Sequence, residues 1–463
     1  MTPLSFRLEN EIVIPQLPFG LVQEVKRRLT FENPEYKKAQ QFGRSVRGIS
    51  QFIRFYHTIG DEFRLPRGFF RDFMQLLHEH DYTPVIQDLT SSFAPKKFPH
   101  SALALRDYQI PWVEGLLSDT QGLGVGPPGS GKTAVALALY ERLGQPCLWL
   151  THTKGLARQV AKRLKSFLGE EAGFIGDGKE DLRHFTVGLV PTLVRRDLSE
   201  IVKLYGLVII DEVHHQPSVS FTQVANQFWA RYRYGLTATP YREDGLEPLM
   251  FAAIGPTLAS ITRRELRAVG ALITPTVYRR RTKFSFPYDH QVKETNYKAL
   301  EEALTHDDDR NDQIMQDVSL EAMAESNTCI VLVSRIEHGE ILREKISQVH
   351  EEVGLTHSKM APKKAYQVID DFSEGKIRIL IATYKMLAEG FDYPPANRLF
   401  LVGPHRGRTL IEQASGRVER PAPGKINALI YDYVDSNLIV LSNQAESRLD
   451  VFEANDIPVV NIN

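Results

Sequence analysis

The stretch GPPGSGKT (126–133), set between a short apolar strand and the helical run GKTAVALALYERLG, decides how the rest of the chain is read. It has the pattern GxxxxGK[ST], in which a glycine-rich turn joins a strand to a helix N-terminus. Backbone N–H groups of such a turn, with the helix behind them, present positive charge to phosphates. Gly126, Pro127, Pro128, Gly129, Ser130, Gly131, Lys132 and Thr133 are therefore the expected nucleotide cradle. Lys132 is expected to reach the β- and γ-phosphate oxygens and the Thr133 hydroxyl to hold Mg²⁺, so ATP and Mg²⁺ are the expected cofactors.

Outward from this loop, apolar runs of strand length alternate with helical patterns: CLWLT (147–151), FTVGLV (185–190), LVIID (207–211) and YRYGLT (232–237). The same grammar restarts after a polar, turn-rich stretch (282–310), with CIVLVS (329–334), IRILIAT (377–383), RLFLVG (398–403) and NALIYDYV (427–434). Short, continuously apolar strands separated by helices predict a parallel sheet covered on both faces. The expected fold is thus α/β, with two tandem parallel-sheet lobes at 96–278 and 311–463, a linker at 279–310, and a small α+β domain at 1–95.

Composition bounds this reading without deciding it. The 463 residues are 42% hydrophobic and 24% charged, with a formal net charge of -1. Phosphate binding then has to come from local patterns of Lys and Arg. Cys147 and Cys329 sit in apolar runs and read as small buried hydrophobes in a reducing compartment. The start, MTPLSFRLENEIVI, lacks a basic region followed by a long apolar run, and no run is long enough to span a bilayer. A soluble cytoplasmic protein with no membrane partner is expected. The pair His214–His215 has no partners at zinc-ligand spacing.

LVIIDEVHH ends a buried strand in two carboxylates, where the carboxyl end of a parallel strand meets a ligand crevice. Asp211 is placed to hold the magnesium and Glu212 to polarise the attacking water. In the second lobe QASGRVER (413–420) puts Gln413, Gly416, Arg417 and Arg420 within two turns of one helix-like stretch. Arginines three apart share a helix face. They are salt-bridge partners on a surface helix, or clamps for the γ-phosphate if this lobe completes the site.

In order, LRDYQ (105–109), GPPGSGKT, THTKGLARQ (151–159), VPTLVRR (190–196), DEVHH, LTATP (236–240), IVLVSR (330–335), TYKMLAEGFDYP (383–394) and QASGRVER resemble the motif set of superfamily 2 helicases. A protein-remodelling ATPase would instead follow its first lobe with a small helical lid. The stretch TATPYREDGLEPLM, with IGP (254–256) after it, is most similar to the XPB/UvsW-like branch, of the phage UvsW type. Arg242, Glu243 and Asp244 match its Arg-Glu-Asp element. The resemblance implies two RecA-like lobes. It implies that Gln109 reads the adenine edge with Arg106 beside it, and that Gly390 and Asp392 join the nucleotide from the second lobe. It implies that His214, Thr237 and Thr239 couple hydrolysis to lobe movement. It implies DNA contacts at Thr151, Lys154, Thr192, Arg242 and Thr383.

The stretch 37–54 carries Lys37, Lys38, Arg44, Arg47 and Arg54 with no acidic residue, interleaved with Phe42 and Phe52 and followed by Phe55 and Tyr56. It reads equally as a nucleic-acid surface and as a solvated basic face over a small aromatic core. The expected function is an ATP-driven DNA translocase, a monomer on DNA, that unwinds or remodels branched DNA or duplex–single-strand junctions, in branch migration and fork regression. A simple 3′-to-5′ unwinding helicase, an RNA helicase and a non-enzymatic ATP-switched DNA clamp are the rival readings.

Overall fold

A computed structural model describes residues 2–213, 223–239, 245, 247–287, 293–388 and 393–462, with backbone alone at 293–296 and 387–388. The chain divides into two compact units, Met1–Pro127 with Gly131–Ile261, and Thr262–Asn463 with Pro128–Ser130.

The first unit begins with a five-stranded sheet in the order His57–Ile59, Glu62–Pro66, Glu11–Ile14, Thr2–Leu8, Tyr82–Asp88. Its neighbours are antiparallel except the last pair. In Thr2–Leu8 the side chains of Leu4 and Phe6 are buried and Ser5 between them is exposed, the period of a strand with one covered face. The cover comes from Phe19–Arg28, which buries Leu21 and Val25, and from Phe70–Glu79, which buries Phe73, Leu76 and Leu77. Both sets repeat at helical spacing.

Two buried arginines fasten this layer to the α/β layer of the same unit. The Arg67 guanidinium donates to the carbonyl oxygens of Ala230 and Arg231, the latter at 2.9 Å. Arg233, on the α/β side, donates across to the Asn10 carbonyl at 3.5 Å and within its own layer to the carbonyls of Ala253 at 3.2 Å and Phe228 at 3.1 Å and to the Asn226 side chain at 3.1 Å. At Gly68 a Cβ would lie 2.4 Å from the carbonyl oxygen of Ala252, so the close approach requires glycine.

The α/β layer is an eight-stranded sheet in the order Lys179–Asp181, Gly173–Gly176, Phe185–Leu189, Cys147–Thr151, Leu207–Ile210, Tyr232–Thr237, Gln121–Val125, Thr257–Ser260. Only the edge strand Lys179–Asp181 runs antiparallel. Leu207–Ile210 and Cys147–Thr151 are buried throughout, as strands covered on both faces must be.

The second unit holds a seven-stranded, wholly parallel sheet in the order Val353–Thr356, Ile379–Thr383, Cys329–Val333, Arg398–Leu401, Leu429–Val434, Thr276–Arg281, Val459–Ile462. The stretch 282–310 is less turn-like than its composition. Helices Lys293–Thr305 and Asp308–Ala322 occupy much of it. The Asp307 carboxylate accepts from the Arg310 backbone N–H at 2.8 Å, and Asp308 and Asp309 follow in the first turn. Acidic residues stabilise a helix start, and the same residues are common in turns. Cys147 and Cys329 are both free and buried. Among the described residues no helix is long and apolar enough to cross a membrane.

Candidate nucleotide-hydrolysis site

The cradle is built by backbone conformation first. Gly129 and Gly131 hold φ of +87° and +85°, a region costly for residues with a Cβ, and Gly131 caps the helix Lys132–Leu143. Gln109 fills the space such a Cβ would need: its Nε2 lies 2.2 Å from that position. Gln109 is itself fixed, because its Oε1 accepts from the Arg106 backbone N–H at 2.9 Å, while the Arg106 guanidinium donates to the Tyr108 hydroxyl at 3.2 Å. Of the two residues expected at the adenine edge, Gln109 thus stands directly beside the phosphate loop.

Charge gathers at the ends of adjacent strands. The Lys132 ammonium donates to the Gly126 carbonyl at 3.0 Å and lies 3.5 Å from Glu212 Oε1. The Gly126 N–H donates to the Thr237 carbonyl at 2.9 Å, and the Thr239 N–H donates to the Thr237 hydroxyl at 3.3 Å. Burial, then the Glu212 charge, push the Asp211 carboxyl up to about 7, against the pull of Lys132 and Arg163. Asp211 and Glu212 therefore share too little positive charge. A hydroxyl and a carboxylate are oxygen donors suited to Mg²⁺, and Thr133 and Asp211 would hold it there. Arg163, on the helix Lys154–Leu168, was not a sequence candidate; one arginine on an amphipathic helix gives no signal of its own.

In the second unit Gln413, Gly416 and Arg417 lie on the helix Arg408–Val418. Arg420 does not: the helix ends at Val418 and is capped by Glu419. Helical spacing therefore does not place the two arginines on one face. Glu419 is fully buried and takes Arg263 at 2.6 Å and Arg267 at 3.5 Å, while Arg263 also donates to the Glu412 carbonyl at 3.1 Å. Lys425 binds the Arg420 carbonyl at 2.7 Å. Burial, then the charge of Arg420, push the Lys425 ammonium down to about 7. Neither Glu419 nor Lys425 was a sequence candidate, since each acts through contacts made after folding.

Thr151 and Thr383 are each the last residue of a strand and are buried. Lys154 opens its helix and pairs with Asp177, and Thr192 lies in the short helix Val190–Leu193. Arg44, Arg47 and Arg54 are exposed on the N-terminal layer, as are Phe42 and Phe52. Phe55 and Tyr56 are half-buried, and Tyr56 stacks on Phe63 at 5.5 Å. His214, Arg242, Glu243, Asp244, Gly390 and Asp392 lie outside the described residues.

Residues 102–242 match the family described as type III restriction enzyme, res subunit, and residues 311–422 match the helicase conserved C-terminal domain. An Escherichia phage T5 protein described as "Probable helicase D10" is 26% identical over 369 residues, covering 79% of this chain and 78% of its own length. The DNA 3'-5' translocase XPB2 of Sulfurisphaera tokodaii is 36% identical over 164 residues, 35% of this chain and 37% of its own length. The chain thus spans most of the phage protein and little more than a third of the Sulfurisphaera one. The solved structure of S. cerevisiae Dbp5 bound to RNA and ADP BeF3 aligns with TM-score 0.56 at 16% identity, over 78% of this chain and 90% of that one, a likeness of fold alone. The two large sheets are RecA-like lobes. The chain belongs to the superfamily 2 helicases and is an ATP-hydrolysing enzyme.

Proposed function

We propose that this helicase is an ATP-driven DNA translocase that unwinds or remodels branched DNA, moving junctions or regressing forks. One observation carries the chemistry: Lys132, Asp211 and Glu212 converge beside a glycine cradle whose neighbouring strand ends in Thr237. DNA as the substrate is supported by the Sulfurisphaera relative, a DNA 3'-5' translocase. The order of the motifs and the phage T5 relative support a phage-type enzyme acting in the host cytoplasm.

The bound cation would supply charge neutralisation at the β- and γ-phosphates. Lys132 orients the triphosphate from the loop, and Gln109 with Arg106 selects the adenine edge. Glu212, held opposite Lys132, orients the attacking water and takes up its proton. Arg417 and Arg420 steady the charge that develops on the γ-phosphate. Thr237 and Thr239, bonded to the loop through Gly126, pass the change in nucleotide state into the first lobe, and His214 shares that coupling role. Thr151, Lys154, Thr192, Arg242 and Thr383 grip the phosphate backbone, a sequence-independent and salt-sensitive hold. Gly390 and Asp392 contact the nucleotide from the second lobe.

ATP turnover measured with RNA, single-stranded DNA, duplex and a four-way junction tests this reading. The junction should stimulate most and RNA least. Equal stimulation by RNA would point to an RNA helicase, and equal stimulation by every DNA form to a simple unwinding enzyme.

A further inference from the structure

Lys425 lies in the connection between the helix Arg408–Val418 and the strand Leu429–Val434. Its ammonium donates to three backbone carbonyls, those of Pro394 at 3.0 Å, Ala396 at 2.6 Å and Arg420 at 2.7 Å. An ammonium has three N–H donors and no acceptor, so these contacts use its whole capacity. The charged groups that act on it are Arg420, Glu419 and Arg398, two of them cations. The one anion is already bound by Arg263 and Arg267. Lys425 is therefore held by carbonyl dipoles and not by an ion pair, which fits a geometric duty better than an electrostatic one.

The three carbonyls come from two segments. Pro394 and Ala396 follow directly on the stretch containing Gly390 and Asp392 and precede the strand Arg398–Leu401. Arg420 comes two residues after its helix ends at Val418, so the bond to its carbonyl is made outside the helical ladder. Alone among its bonds, the one to the Arg420 carbonyl acts on the arginine's own peptide unit.

We propose that Lys425 is a positioning residue for ATP hydrolysis, fastening the Arg420 carbonyl to those of Pro394 and Ala396 and so fixing where the Arg420 side chain leaves the backbone. The inference rests on the reading of Arg420 as the γ-phosphate clamp. It extends that reading to a residue whose ammonium is taken up by three backbone carbonyls.

The test is steady-state ATP turnover with poly(dT), comparing wild type, Lys425→Met, Arg420→Ala, the double variant and Lys425→Arg. Lys425→Met keeps the aliphatic stem and removes every donor. It should lower kcat by about tenfold or more while leaving KM for ATP within about threefold. The double variant should be no slower than Arg420→Ala alone, and Lys425→Arg should recover part of the loss. A kcat for Lys425→Met within about twofold of wild type, beside a disabled Arg420→Ala, overturns the role of Lys425 and leaves the clamp standing. Multiplying losses in the double variant overturn it as well, because they assign Lys425 a separate structural effect. Full turnover by Arg420→Ala removes the clamp reading and the inference with it. Thermal unfolding midpoints check folding, and Lys425→Gln, with two amide donors, replaces Lys425→Met if that variant does not fold.

Discussion

The two RecA-like lobes arrange charge in opposite ways. In the first, the motif residues contact one another: Lys132 faces Glu212 at 3.5 Å and Asp211 is buried among them with too little positive charge. In the second, the described supports are Glu419, itself inside QASGRVER, and Lys425 five residues beyond Arg420. Glu419 anchors the helix end through Arg263 and Arg267, and Lys425 ties the Arg420 carbonyl. A site whose parts touch each other should fail residue by residue. A site held from outside should fail also at its supports.

The largest effect should come from the clamp itself. Arg417→Ala or Arg420→Ala is expected to lower kcat by about 10³-fold or more with ATP binding to the first lobe retained. Full turnover by both variants would confine the chemistry to one lobe. Glu212→Gln should cost about 10²–10⁴ in kcat with ATP still bound, whereas Lys132→Ala should weaken both binding and turnover. Near wild-type hydrolysis by Glu212→Gln would remove its water-orienting role.

The supports come next. Glu419→Ala leaves Arg263 buried without its carboxylate and should destabilise the second lobe by about 3–5 kcal/mol, read from urea unfolding. A loss below about 1 kcal/mol would mean that the cluster relaxes into water and supports nothing.

His338 offers a pH probe of the same lobe. It is buried, its ring Nε2 lies 2.8 Å from the Asn311 side-chain Oδ1, and burial, then the Arg310 charge, push it down to about 3. Below about pH 6.5 the unfolded chain binds a proton that the folded chain refuses, so this contribution is complete above 6.5 and declines on acidification. Between pH 7.5 and 4.5 the stability gap between wild type and His338→Gln should close by about 2–3 kcal/mol. A constant gap would show that His338 titrates alike in both states.

The smallest effect concerns the N-terminal layer. Replacing Arg44, Arg47 and Arg54 together should leave ATP turnover unchanged and flatten the salt dependence of junction binding by up to about one log–log unit per lost phosphate contact. An unaltered slope would assign these arginines to a solvated face. The substitutions are a cleaner probe than deletion of residues 1–95, because deletion would also strip Arg67 from the carbonyls of Ala230 and Arg231.

Both large sheets could be read from the sequence because their strands are short apolar runs between helical patterns, and burial on two faces demands that pattern. The cradle was legible for a related reason: GPPGSGKT holds its residues in one contiguous segment, so no tertiary information is needed. Gln109 was placed near the nucleotide only through the resemblance of LRDYQ, since its approach to Gly131 depends on packing. Arg420 was misassigned to a helix face because residue spacing does not reveal where Val418 ends the helix. Lys425 and Arg67 were not legible at all. A lysine in a polar loop and an arginine beside a glycine look like solvent-exposed charges until the carbonyls that receive them are known.

The tie made by Arg67 also sets a timetable for synthesis. Its carbonyl partner at Ala230 follows 163 residues later in the chain. At about 5–20 residues per second a ribosome needs roughly 8–30 s to supply it. Once Asp88 has completed the five-stranded layer, the rest of that interval leaves its guanidinium uncapped and the seat for Ala252 at Gly68 empty. A nascent chain halted before residue 230 therefore carries an unfinished face, which makes it a natural client for a chaperone or a protease.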